Sequence, residues 1–149
     1  MEDKRALPPP SFGRHLVAIL YDLLLVIAVV AVVNALALAI EAQLGGDHLL
    51  SPLTVQLLSI GSTWGFFCLF WHSNGQTLGM QAWRIALVDD SGNAPGWIPS
   101  LKRCAAATLS LACFGVGYLW RFIDSRKRYW HDHLSGTHLV QLPKHSKVA

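Results

Sequence analysis

Residues 23–40 read LLLVIAVVAVVNALALAI. The run holds no charge, no Gly and no Pro, and about 20 such residues cross the hydrocarbon core of a bilayer. It is therefore read as most of a transmembrane helix, extending back to Phe12 and ending near Ile40. Two further windows lack any Asp, Glu, Lys or Arg: His48–Trp83 and Cys104–Trp120. Together the three windows make up nearly half of the 149 residues. Charged residues are 14% of the chain and hydrophobic ones 52%, against about 25% charged in ordinary globular chains. This excludes a disordered tail, a charged coiled coil and most soluble enzyme folds. A net charge of +3 is too small to suggest nucleic-acid binding by itself.

Working outward, residues 1–11 are charged and then Pro-rich, through Pro8-Pro9-Pro10, and read as a cytosolic tail. Ser11 is placed to cap the first helix. Ala35-Leu36-Ala37 resembles a signal-cleavage site. The apolar run from Leu16 is too long for a signal sequence, however, and carries Asp22, so a retained helix is expected. After a connector at 41–52, a second spanning helix is expected over 53–72. Its Gly61 and Gly65 suit close helix contact within the bundle. Thr77–Trp83 suggests a short interfacial helix, with Trp71 and Trp83 at headgroup depth. Arg84–Asp89 alternates like a strand and ends in the turn Asp90-Ser91-Gly92-Asn93. The third apolar segment spans 101–124. After it, Tyr129–Ser135 fits a short helix closed by Gly136, and Thr137–Leu142 a strand. Residues 143–149 form a tail. Cys68, Cys104 and Cys113 show no Cys-x-x-Cys spacing and read as buried packing thiols.

Lys and Arg number 3 up to Arg14, none in 41–52, 3 in 73–103 and 6 from Arg121 onward. The positive-inside rule puts the N-terminus inside, the first connector outside and the middle segment inside. A full third span would place the most basic segment outside. A re-entrant hairpin removes that conflict: Leu101–Cys113 enters, 114–117 turns and Tyr118–Asp124 returns. Backbone at such a turn must be covered by protein or line water. The expected fold is thus an all-α membrane protein with two spanning helices. The favoured third element is the re-entrant hairpin, with a full span as the alternative, and a small cytosolic cap of strands and helices completes the chain.

Arg14 at the mouth of the first helix, Tyr21-Asp22 within it, Gly75-Gln76-Thr77-Leu78-Gly79 after the second helix and His131-Asp132-His133-Leu134-Ser135-Gly136-Thr137 near the end form a combination. With Arg84–Asp89 and Gly92, it resembles the RDD family of membrane proteins, named for one arginine and two aspartates. Arg14, Asp22 and Asp132 match those positions, and the resemblance covers 12–142. It implies a transport-type role without a settled ligand and brings no catalytic site.

Asp22 lies eight residues beyond Arg14, about 12 Å deeper along a helix. A carboxylate at that depth costs a few kcal/mol unless it is paired, protonated or wet. It reads either as a proton- or cation-binding group in a polar cleft or as a fixed structural partner. Arg14 either snorkels or grips a carboxylate, with Asp132 the best candidate; Arg103 is placed to pair with Asp22 or Asp124, and Asp132, if Arg14 does not reach it, with Arg103 or the 126–128 cluster. His131, Asp132, His133 and His138 lack the partners and spacing of a metal site, so neither metal nor cofactor is expected. Arg126-Lys127-Arg128 beside Tyr129 and Trp130 reads as an anchor on anionic lipid headgroups. No hydrolase triad, phosphate loop or dinucleotide motif is present, and no enzyme activity is expected. The sequence supports transport of a small ion or solute, with Asp22 as protonatable centre. The alternative is a non-transporting assembly or interaction subunit. The expected setting is the inner membrane, multi-pass, with both termini cytosolic. A homo-oligomer or a membrane partner protein is expected too, since two or three segments make a thin wall.

Overall fold

The computed structural model describes residues 4–45 and 49–143. The connector residues 46–48 and the tail residues 144–149 lie outside the described residues. The chain is mostly helical. A short 3-10 turn at Lys4–Ala6 precedes α1 (Phe12–Gln43), followed by α2 (Pro52–Asn74), α3 (Leu78–Ala82), β1 (Ile85–Asp89) and α4 (Trp97–Ala112). Then come α5 (Val116–Leu119), a 3-10 turn at Trp120–Phe122, α6 (Trp130–Ser135) and β2 (Thr137–Gln141).

Two helices, α1 and α2, are long and apolar enough to cross a membrane. At 1.5 Å per residue, α1 is about 48 Å long and α2 about 35 Å, against a core of about 30 Å. Ser11 and Ser51 cap their N-termini, accepting from Arg14 N at 3.4 Å and Thr54 N at 3.1 Å. Leu24, Ile27, Val32, Leu36 and Ile40 stand exposed on α1, as a lipid-facing surface requires.

The third apolar segment is broken. The axes of α4 and of 116–122 meet at 106°. Phe114 and Gly115, both with positive φ, make the bend. α4 starts at Trp97 rather than the expected Leu101. Pro99 sits in its first turn, where no intrahelical N–H is needed, so the proline that blocks a strand there is compatible with a helix.

β1 and β2 pair antiparallel, from Ile85 opposite Gln141 to Asp89 opposite Thr137. One sheet face, through Ile85, Leu87 and Leu139, joins a core with Ala18, Cys68, Trp71, Met80, Cys104 and Tyr129. The other face, Ala86, Val88 and Val140, is covered by Leu7 and Leu142. The N-terminal stretch expected as a tail is thus docked in part: Gln141 N donates to Pro8 O at 2.8 Å, and Pro10 is fully buried.

Other local expectations need correction. A Cβ at Gly61 or Gly65 would meet nothing within 4 Å among the described residues, so none of the described helices packs closely on them. Trp71 and Tyr129 are core residues rather than interfacial ones. Cys68 and Cys104 are buried with sulfurs 3.8 Å apart, whereas Cys113 is exposed at the end of α4.

Candidate functional site

Asp22 is 3% exposed. Its Oδ1 accepts from Gly79 N at 2.9 Å, and its Oδ2 accepts from the Thr77 hydroxyl. Thr77 Oγ1 also caps α3, accepting from Met80 N at 3.2 Å. The Gly75–Gly79 segment is built around this contact. Gly75 ends α2 in the left-handed region, at φ 67°, which suits a residue without a Cβ. Its carbonyl accepts from Leu87 N at 2.7 Å, and Gln76 Nε2 donates to Ile85 O at 2.7 Å. At Gly79 any Cβ would collide with Ala18 O and lie 2.9 Å from the Asp22 carboxyl carbon. Only a glycine lets α3 approach α1 closely enough for this hydrogen bond.

Asp132 is paired with Arg103, Nη1 to Oδ1 at 2.5 Å, and both side chains are almost fully buried. Arg103 Nη1 also donates to Thr137 Oγ1 at 2.9 Å, and its guanidinium lies 5.4 Å from the Trp71 ring centroid. Asp132 Oδ2 accepts from Tyr129 N at 2.8 Å, closing the start of α6. A buried pair of this kind is sustained by its extra hydrogen bonds, and removing one partner leaves an uncompensated charge.

The expected Arg14–Asp132 contact is not formed. Arg14 is exposed and lines a shallow surface depression with Trp83, Arg84 and Leu142. Arg103 takes Asp132, and neither Asp22 nor Asp124, as its carboxylate. Asp124 instead holds the following turn, its Oδ2 accepting from Arg128 N at 2.9 Å and Arg126 N at 3.1 Å. Those bonds, the first above all, hold its carboxyl below the usual range, and His133 at 3.3 Å adds to the effect.

Sequence reasoning gave no site role to Arg121, His15 or Tyr129. Arg121 is buried, donating from Nη1 to the Tyr129 hydroxyl at 3.2 Å and from Nη2 to Pro10 O. His15 Nδ1 lies 2.6 Å from the same hydroxyl. Since that oxygen accepts from Arg121, its proton is free to point at His15. His131 stacks on Tyr129, with centroids 5.1 Å apart and rings 6° from parallel. Burial, with Arg103 and then His15 nearby, pushes the His131 pKa down to about 2.

Several of the polar groups, though not Arg121, Tyr129 or Asp132, converge on a cavity of about 190 Å³ among α1, α2, α4 and α5. Asp22, Arg103, His15 and His131 supply its polar wall, and Trp71 and Tyr118 are among its aromatic lining. Trp71 Nε1 and His131 Nδ1 are buried with no hydrogen-bond partner among the described residues. Asp132 lines a second cleft of about 140 Å³ on the other side. The Arg103–Asp132 pair therefore stands between cavity and cleft. No group of three or more His, Cys, Asp or Glu suited to a metal occurs among the described residues.

The sequence model of the RDD family matches residues 9–136, most of the chain. No curated protein and no solved structure matches it.

Proposed function

The chain belongs to the RDD family, and from that premise we propose that it moves a small ion or solute across a membrane, with Asp22 as the protonatable centre of its binding cavity. The observation carrying this reading is the place of Asp22 on the wall of a cavity inside the helix bundle. A buried carboxylate beside an internal cavity is the usual chemistry of proton and cation relays in transporters. The Arg103–Asp132 pair between this cavity and the cleft is placed to act as a gate.

The proposed setting is the inner membrane, with both termini and the sheet on the cytosolic side. The Lys and Arg distribution supports this orientation. The 106° bend after α4 supports a re-entrant third segment over a straight span. Two spans enclose little space, which favours a homo-oligomer. The protein acts without catalysing a reaction.

A second reading, an assembly subunit with a purely structural charged trio, draws on one specific observation: both Asp22 oxygens are already held by donors fixed in the fold. Asp22→Asn separates the two. In proteoliposomes under proton, sodium and potassium gradients, the transport reading expects flux from the natural protein. Asp22→Asn should then retain its thermal midpoint yet lose pH-dependent flux. No flux from the natural protein under any gradient, with Asp22→Asn lowering only the midpoint, would leave the assembly reading.

A further inference from the structure

The second cleft is a separate feature from the Asp22 cavity. It is lined by Arg121, Arg126, Lys127 and Arg128 on one side and by Leu7 and Pro9 on the other. Four cations face a space of about 140 Å³. The one carboxylate on its wall, Asp132, is already neutralised by Arg103. Arg121 forms a buried floor, fixed by Pro10 O and Tyr129. The other three cations sit on a turn whose shape is fixed by Asp124, which accepts from the amides of Arg126 and Arg128 through its side chain and of Lys127 through its carbonyl. Lys127 is held at φ 54°, a conformation rare for a side-chain-bearing residue.

The cleft lies close in the chain to the start of α1. Leu7 and Pro9 lie just before the first spanning helix. Phe12, the first residue of that helix, packs on Phe122 with ring centroids 5.3 Å apart. Phe122 and Ile123 before the turn and Trp130 after it are exposed apolar side chains. Trp130 suits the membrane–water boundary, and exposed Phe122 and Ile123 suit the acyl region just beneath it. A preshaped cationic cleft at that depth meets phosphate groups carried by lipid, with acyl chains able to run down the exposed apolar surface of 122–123 beside it.

We propose that the cleft formed by Arg121, Arg126, Lys127 and Arg128 is a specific binding site for the phosphate headgroup of an anionic phospholipid, and that the bound lipid clamps the 7–10 segment onto α6. This is narrower than general attraction of a basic stretch to a charged surface, because the floor arginine and the Asp124 turn define a pocket. Arginine suits it, presenting several fixed donors to phosphate oxygens.

The test is a lipid titration of the full chain in neutral detergent, with lipid kept to a small mole fraction of the micelle so that little surface charge builds up. Phosphatidylglycerol should raise the thermal midpoint saturably, and phosphatidylcholine should not. The variant carries Arg126→Gln with Lys127→Gly. Both positions are exposed, and glycine suits the positive φ at 127, so the lipid-free midpoint should hold. Each cation near a membrane surface is worth about 1 kcal/mol, so losing both should weaken phosphatidylglycerol binding about 30-fold. Lys102→Gln, removing an exposed cation outside the cleft, should change it less than about 3-fold. If the lipid-free midpoint of the variant falls, Arg126→Gln alone is used, with about a 5-fold weakening expected. An equal loss in Lys102→Gln would overturn the proposal as mere net charge. Equal stabilisation by both lipids would overturn it too, as would soluble glycerol phosphate reproducing the whole shift at the same concentration.

Discussion

Beyond Val26, α1 turns Ile27, Val32, Leu36 and Ile40 outward and meets α2 through Asn34, whose Nδ2 donates to Ser59 Oγ at 3.2 Å. Before Val26, the same helix buries Ala18 and Asp22 against α3 and His15 against Tyr129. The far half of the molecule is held largely by its surroundings: apolar faces require lipid, and the Asn34–Ser59 bond adds a directed contact between α1 and α2. The near half is held by itself, through charged and polar groups whose bonds each have one geometry. Specificity of fold is therefore concentrated in the near half, and substitutions there should cost far more.

The sharpest way to break that contrast is the Arg103–Asp132 pair. Asp132→Ala leaves Arg103 buried without its carboxylate and also frees Tyr129 N at the start of α6. The expected cost is about 3–5 kcal/mol, seen as a large fall in folded protein and thermal midpoint. Arg14→Ala, at an exposed site, should cost under about 1 kcal/mol. A double-mutant cycle on Arg103 and Asp132 should show strong coupling, and one on Arg14 and Asp132 additivity. Coupling in the second cycle would mean that Arg14 reaches Asp132 after all.

Glycines give the next contrast. Gly79→Ala drives a methyl group into Ala18 O and the Asp22 carboxyl group, where backbone cannot yield cheaply. Overpacking of this sort costs about 1–3 kcal/mol. Gly61→Ala and Gly65→Ala, which face open space, should leave the midpoint of the monomer unchanged or raised. A loss at Gly61 or Gly65 that grows with protein concentration would show a second chain packing there, and would give the far half a directed contact beyond Asn34–Ser59.

The sequence made the far half legible because lipid solvent imposes a simple rule on composition. Uncharged windows located α1 and α2, and two glycines near 115 marked the break in the third segment. The two strands were readable from alternation and turn residues. The buried polar network was not. His15 meets Tyr129 across 114 positions, and Arg121 meets Pro10 across 111. No local pattern signals such partners, and Arg121 next to an exposed basic run looks like more of the same. Arg14 was favoured over Arg103 for Asp132 because both the family motif and the helix mouth pointed to it. What decides is the packing of α4 on α6, which turns Arg103 inward onto Asp132. Gly75 and Gly79 were legible as a break in the helix, but their reason, close approach to β1 and α1, needed the packed structure.

Acid should expose the same asymmetry more gently. Residues 23–40 carry no titratable side chain, whereas His131 sits among Arg103 from α4, His15 from α1, Tyr118 from α5 and its neighbours Tyr129 and Asp132. Its pKa in the folded chain is pushed down to about 2, from an ordinary value of 6.5. Between those values the unfolded chain holds a proton that the folded chain excludes. His131 therefore costs nothing above about pH 6.5 and destabilises progressively as pH falls below it, by up to about 1.4 kcal/mol per pH unit. His131→Phe keeps a ring to stack on Tyr129, removes the unpartnered Nδ1 and cannot titrate. Thermal midpoints of the two proteins, measured in neutral detergent from pH 7.5 to 5, should run together above pH 6.5 apart from a constant offset. Below that value the natural protein should fall faster. Parallel curves through the whole range would mean that His131 accepts a proton in the folded state. The near half would then carry a charge at His131 that its burial beside Arg103 argues against.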